Sequence, residues 1–267
     1  MGISVCSMDL NRIYNMDCLE GMKGIPDKSI DCIICDLPYG TTMCEWDSVI
    51  PFDKLWEQYN RICKETTPII LFGQEPFSSH LRISNMADYK YDIYWEKEAP
   101  SNFMQLNRRF GKTIECISIF YKKQCTYNPQ KYEHSGRKVV VRLGEKSLNF
   151  KSTVAANSDG SYSLTAYQDD GSRFPKDVLR FNRVDKHHYI HPTQKPVDLI
   201  QYLVRTFTNP GDTILDSCMG SGTTAVAAVL EKRKFIGFET DKTYFDKANE
   251  RLRDLTGPFH IYGNIGV

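Results

Sequence analysis

A chain of 267 residues with 41% apolar content can bury one substantial core, or one core plus an excursion, and reads as one domain carrying an insertion. No apolar stretch is long enough to cross a bilayer, no secretory leader pattern is found, and nine scattered cysteines form no disulfide framework, so a reduced cytoplasmic protein is expected. The net charge of +1 hides an uneven spread: residues 124–190 hold 11 Lys and Arg against 7 Asp and Glu, the rest 23 against 26.

Taken in chain order, Ile13 to Asp17, Asp31 to Cys35, Pro68 to Phe72, Ile93 to Trp95, Glu115 to Tyr121, Thr213 to Leu215 and Lys234 to Phe238 read as short strands. Helical spacing of apolar residues recurs in Phe52 to Lys64, Val197 to Phe207 and Thr243 to Leu255. Strands alternating with helices predict an α/β fold, a doubly wound and mostly parallel sheet. Tyr91 to Lys97 and Ile114 to Lys123 flank a loop containing Asn102, Asn107, Arg108 and Arg109 and are expected to form an antiparallel edge. Residues 144–172, rich in Ser, Asn, Asp and Gly, read as mobile loop.

Two motifs sit at predicted strand ends. Asp36-Leu37-Pro38-Tyr39 follows the apolar run Cys32 to Cys35, which places it where open α/β sheets hold ligands. Asp216-Ser217-Cys218-Met219-Gly220-Ser221-Gly222 follows Thr213 to Leu215 and leads into a helix-forming stretch from Thr223, a glycine loop opening a helix. Cys32 and Cys35 have metal-ligand spacing, but they lie in a buried strand with no second pair, so they read as small hydrophobes. His187, His188 and His191 likewise lack a completing carboxylate or cysteine, and no metal is expected.

With these motifs in this order, and His191-Pro192-Thr193-Gln194-Lys195-Pro196 just before the glycine loop, the chain resembles the circularly permuted β group of amino-type DNA methyltransferases. That family uses S-adenosylmethionine (AdoMet) to methylate adenine N6 or cytosine N4. The resemblance covers nearly all of the chain outside residues 124–182, and implies a Rossmann-like methyltransferase sheet. It divides the chain into a catalytic half over 1–123, a target-recognition insertion over 124–182 and an AdoMet-binding half over 183–267. The basic residues of the insertion, Arg137, Lys138 and Arg142 among them, alternate with Tyr127, Tyr132, Phe150, Tyr162, Tyr167 and Phe174. That mixture suits phosphate contact and base stacking.

An exocyclic amine is a poor nucleophile because its lone pair is delocalised into the ring; two acceptors on its two protons localise that pair and aim it at a sulfonium methyl group. The resemblance implies that the Asp36 carboxylate and the Leu37 carbonyl are these acceptors. Pro38 presents no competing N–H, and Tyr39 stacks on a nucleotide flipped out of the duplex. Leu37 departs from the family, which usually has a first proline there. For the cofactor, Asp216, Gly220, Ser221, Gly222 and Thr223 are implied to hold the methionine end, Thr193 and Lys195 to close over it, Thr193 also capping a helix, and Glu239 to accept from the ribose hydroxyls. Asp17 is implied to contact the adenine, or is a plain strand-terminal aspartate. The implied partner is double-stranded DNA, with no membrane, in the nucleoid of a prokaryotic or phage-infected cell. A homodimer is compatible with the family, and a restriction endonuclease partner is left open. Asp at the head of the loop favours adenine N6. Cytosine N4 methylation, transfer to RNA or to a protein amide, and a catalytically silent AdoMet-linked DNA-binding protein are the alternatives.

Overall fold

A computed structural model describes residues 8–40, 47–133, 172–185 and 189–256. Arg137, Lys138 and Arg142, and residues 144–171 of the loop read as mobile, lie outside the described residues. The chain divides into a larger unit, residues 1–128 and 176–267, and a smaller one, residues 129–175. In the smaller unit a two-residue strand β6 (Tyr132–Glu133) pairs antiparallel with β7 (Ser172–Arg173), and the Lys131 ammonium lies 4.8 Å from the centre of the Phe174 ring.

The larger unit is an eight-stranded sheet in the order β1-β10-β9-β2-β3-β5-β4-β8. Its strands are β1 (Arg12–Tyr14), β2 (Cys32–Cys35), β3 (Ile69–Gly73), β4 (Tyr89–Glu96), β5 (Ile114–Phe120), β8 (Val178–Arg180), β9 (Thr213–Asp216) and β10 (Lys234–Phe238). Five of them, β1, β10, β9, β2 and β3, run parallel; β5 runs against both β3 and β4. The expected antiparallel pair of β4 and β5 therefore exists, but it is not the edge. Strand β8 adds in parallel outside β4 through Tyr94 N–H to Asp177 O at 2.7 Å. Residues 176–182, assigned from sequence to the insertion, thus include a strand of the main sheet. Three residues are too few to show an alternation that marks a strand.

Helices cover both faces, as parallel strands require. On one side α1 (Cys18–Met22), α2 (Phe52–Ile62) and α3 (Phe77–Ser84) bury Met22, Leu55, Tyr59 and Leu81 against Ile33, Cys35 and Leu71; on the other α4 (Val197–Phe207), α5 (Thr223–Leu230) and α6 (Lys242–Thr256) pack on Cys32, Ile34, Ile70 and Phe72. Strand β2 shows why a continuous apolar run is needed at the centre: its alternate residues feed the two opposite cores. Cys32 and Cys35 are part of this packing, with burial pushing the Cys35 thiol up to about 12. Among the described residues no helix is long and apolar enough to cross a membrane.

Chain order reverses across the sheet between β2, which is followed outward by β3, and β9, which is followed outward by β10. A crevice opens outside the carboxyl ends of strands at such a reversal. The helix that begins there, α1, lies close to the last residue of β10. A Cβ on Gly21 would fall 2.1 Å from Phe238 Cε1. Gly21→Ala is expected to push α1 off β10 and cost about 1–3 kcal/mol of stability, as overpacking does, seen as a lower urea midpoint with an unchanged m-value.

Candidate active site

The crevice is a cavity of about 670 Å³, within the range of small-molecule sites. It is lined by Asp17, Asp36, Leu37, Pro38, Tyr39, Thr193, Lys195, Asp216, Gly220, Ser221, Thr223 and Glu239. Every candidate catalytic or cofactor-binding residue read from the sequence therefore borders it except Gly222. That glycine instead has φ +77°, is the residue before α5, and would place a Cβ 3.0 Å from Ala248 Cβ. A side chain is excluded there by conformation and by space.

The glycine loop is tied to the next strand. Gly220, at φ +53°, donates its N–H to Glu239 Oε2 at 2.7 Å, while Asp241 N–H donates to Oε1 at 2.8 Å. Each carboxylate oxygen has a second lone pair, so Glu239 retains acceptor capacity towards the cavity. Burial raises the Glu239 carboxyl. Asp216 ends β9, accepts Cys218 N–H at 3.0 Å, and is pushed by burial up to about 6. Ser221 Oγ and Thr223 Oγ1 are 3.1 Å apart, and Arg251 donates to Ser221 O and to Thr223 Oγ1, each at 3.1 Å.

Asp17 accepts Leu19 N–H at 2.9 Å and Glu20 N–H at 3.2 Å, and so caps α1 while facing the cavity. Thr193 does not cap α4, whose N-cap is Pro196; its hydroxyl lies 3.0 Å from His191 Nδ1. A prolyl N-cap offers no side-chain acceptor, so the threonine, three residues further back, is left to orient the histidine. The His191 ring stacks edge-on against Tyr244 at 4.1 Å, and burial, with Lys195 adding, lowers its pKa to about 4.

Lys195 has partners that the sequence reading did not foresee. Its ammonium, expected over the methionine end of a cofactor, lies 2.5 Å from Asp36 Oδ2 and 2.9 Å from Glu115 Oε1. Glu115 Oε2 is in turn 2.6 Å from Lys97 Nζ. Two carboxylates and two ammoniums thus form a neutral chain, with Glu115, Lys97 and Lys195 all buried. Burial drives the Glu115 carboxyl up, and the two lysines overcome it and hold it down to about 2. Burial also raises Asp36, opposed by Lys195 and reinforced by Glu115. For Lys195 burial favours the neutral amine, but the two carboxylates more than reverse this and raise it. Asp36 Oδ1 meanwhile accepts the Tyr39 hydroxyl at 2.5 Å, and the Tyr39 ring packs 4.9 Å from that of Phe77. The sequence reading missed Glu115, Lys97, His191 and Tyr244 as parts of one site; Glu115 and Lys97 lie at the facing ends of the antiparallel pair, where Trp95 is opposite Glu115.

Family comparison decides what such a crevice belongs to. A family model of N6/N4 methyltransferases, described as DNA methylase, matches residues 30–250. The chain belongs to this DNA methylase family. It is a DNA methyltransferase of the N6-adenine/N4-cytosine type, with the permuted order of motifs. Type II methyltransferase M1.MboII of Moraxella bovis is 26% identical over 271 positions, 93% of this chain and 98% of that protein. DNA adenine methyltransferase YhdJ of Escherichia coli K12 is 27% identical over 260 positions, 91% of this chain and 83% of that protein. Among solved structures, the M1.HpyAVI–SAM complex superposes with a TM-score of 0.60 at 24% identity, covering 90% of this chain and 98% of that one. The cytosine-N4-specific PvuII DNA methyltransferase gives 0.64 at 16% identity, covering 92% and 88%. These similarities to solved structures establish the Rossmann-like methyltransferase fold.

Lys195→Met in this methyltransferase would leave the buried Glu115 carboxylate and the half-buried Asp36 carboxylate without the cation between them. Breaking a buried ion pair in this way costs roughly 3–5 kcal/mol, measurable by urea unfolding at neutral pH. Because Glu115 is depressed from its ordinary 4.5 to about 2, the stability it contributes is complete above about pH 4.5 and is lost as pH falls towards 2. Losing one of its two cations should move that acid loss to higher pH in the variant.

Proposed function

We propose that this DNA methyltransferase transfers a methyl group from AdoMet to adenine N6 of a nucleotide flipped out of duplex DNA. The observation that carries the reading is the position of Asp36: it directly follows the central strand β2, faces the glycine loop of β9 across the switch-point crevice, and has a buried ammonium on one oxygen.

AdoMet is the methyl donor of the family and supplies an electrophilic sulfonium methyl group. The cavity suits such a ligand: about 670 Å³, an acidic side chain at the end of β10, and a glycine loop opening a helix between them. In this reading Glu239 accepts from the ribose hydroxyls and Asp17 lies at the adenine end. Asp216, Gly220, Ser221, Gly222 and Thr223 shape the methionine end, where α5 presents its positive terminus. Thr193 contributes by fixing His191.

The Asp36 carboxylate and the Leu37 carbonyl accept the two amine protons and localise the nitrogen lone pair. Both Asp36 oxygens already hold one donor each, Tyr39 and Lys195, and each retains a lone pair for the incoming N–H. Lys195 works through Asp36: its charge opposes the burial that raises the carboxyl, and its hydrogen bond fixes the rotamer. Tyr39, carried by Pro38 and backed by Phe77, offers its ring to the flipped base. Aspartate at the head of this loop supports adenine over cytosine, as does the name of the Escherichia coli relative, an adenine methyltransferase. The basic insertion, with Arg137, Lys138 and Arg142, is assigned to DNA sequence choice.

Two substitutions should separate binding from chemistry. Asp36→Ala is expected to lower methyl transfer on the order of 10²-fold or more while AdoMet affinity holds. Glu239→Ala should instead weaken AdoMet by roughly 1–3 kcal/mol, the loss of a charge-assisted hydrogen bond, in calorimetry on the folded variant.

The target atom is tested by mass spectrometry of nucleosides from DNA methylated in vitro. N6-methyladenine is expected. N4-methylcytosine without it would reject the assignment and leave the fold and the methyl donor standing.

A further inference from the structure

The tip of the β4–β5 hairpin plays no part in the site described above, yet it is built beside it. Strand β5 starts at Ile114 and pairs Cys116 with Gly73, the last residue of β3. Its start therefore lies at the carboxyl end of the parallel strands, where Asp36 also lies. Two contacts join the tip to the crevice: Ser101 lines the cavity, and Lys112 Nζ donates to Gln74 Oε1, also on the cavity wall, at 2.7 Å.

The tip is held in one shape. Ser101 N–H donates to Lys112 O at 2.9 Å, Lys112 N–H to Asn102 Oδ1 at 2.7 Å, and Asn102 Nδ2 to Phe110 O at 3.1 Å. A Cβ on Gly111 would sit 2.7 Å from Pro100 Cγ, so the Gly111 backbone packs directly against the Pro100 ring across the neck of the loop. A short 3₁₀ turn, Phe103–Gln105, follows, and Arg108 and Arg109 N–H both donate to Gln105 O. This ordered scaffold presents apolar groups to solvent: Phe110 is 97% exposed, Met104 82% and Phe103 69%. Isolated exposed apolar residues are ordinary, but a cluster on a braced loop marks an interaction surface. Between Ala99 and Thr113 the charged residues are Arg108, Arg109 and Lys112, with no carboxylate among them.

We infer that this tip is a duplex-DNA contact: Phe110 enters the base stack at the gap left by the extruded nucleotide, and Arg108 and Arg109 hold flanking phosphates. The inference rests on the base-flipping reading proposed above. Extrusion costs unstacking energy, and an apolar wedge between base steps offsets part of it. A second copy of this chain fits the surface less well. A two-fold contact would set the same patch against itself, bringing guanidinium groups together with no carboxylate on the loop to receive them.

The test compares Phe110→Ala, Phe110→Trp and the double variant Arg108→Gln/Arg109→Gln with wild type. Phe110→Ala should lower kcat/KM on unmethylated genomic duplex DNA about 10- to 100-fold, the range of one lost base–aromatic stack, with AdoMet affinity unchanged. Phe110→Trp should restore activity to within a few-fold. The double variant should reduce the slope of log K against log salt by about 2, two phosphate contacts. Full duplex activity in Phe110→Ala overturns the inference. So does a loss accompanied by a changed sedimentation coefficient, which would assign the tip to contact between copies. If no DNA accepts a methyl group from wild type, the fault lies with the site reading. Anisotropy of a fluorescein-labelled duplex, which needs no turnover, then decides the tip by itself: weaker binding by Phe110→Ala supports it and equal binding overturns it.

Discussion

The arrangement of this site depends on one buried ammonium. Lys195 sits between Asp36 and Glu115, and those two carboxylates come from the loop after β2 and the start of β5, while the lysine comes from the turn before α4. Without the cation, two like charges would face each other in a water-poor pocket, and at least one would take up a proton. A protonated Asp36 would turn part of its surface from acceptor to donor, the opposite of the role proposed for it above. Lys97 completes the balance by covering the other oxygen of Glu115. Desolvating four charges is expensive, and such networks are weak evidence for net stability. Their value here is positional: the network fixes one rotamer of Asp36 and ties together three segments that face the crevice.

The crevice follows from sheet order rather than from chain order. Strands β2 and β9 are neighbours, with β3 and β10 winding away on opposite sides, so the ends of the central pair are left uncovered by any crossover. Whichever half of the sheet is made first, the acidic loop after β2 and the glycine loop after β9 meet across the same gap. This is why a permuted chain keeps a common site. The segment 191–196 then has a defined job in this connectivity, since it leads into the helix before β9 and carries Lys195 back across the crevice to the β2 loop.

Much of this was legible in the sequence because strand ends and glycine loops are local features. Apolar runs marked β2, β3, β9 and β10, and the residues directly after β2, β9 and β10 proved to line one cavity. What escaped reading is non-local. That Glu115 and Lys97 belong with Asp36 depends on the register that sets Trp95 opposite Glu115, and nothing in either strand alone specifies register. The stacking of His191 on Tyr244 joins residues 53 positions apart through the packing of α6, whose apolar spacing announced a helix but not which ring it would deliver. Two short elements were invisible for a different reason. Strand β8 and helix α1 have three and five residues, too few to show a period, and tertiary pairing makes them.

Leu37 shows how packing can replace a covalent restraint. In the family a first proline restricts the residue before it and rigidifies the loop. Here the leucine side chain is 3% exposed and belongs to the cluster formed by Met22, Leu55, Tyr59 and Leu71. Full burial of such a side chain contributes about 1.5–3 kcal/mol, comparable to what is needed to hold one backbone residue in a single conformation. The loop is restrained on both sides of this anchor, by Lys195 on Asp36 before it and by Gly40 N–H donating to Asp47 Oδ1 at 2.9 Å after it. The Leu37 carbonyl is therefore held by core packing instead of a ring. The difference is that core packing couples the loop to everything under it: a cavity opened beneath Leu37 would loosen the pair proposed above to accept the amine protons, as well as costing stability.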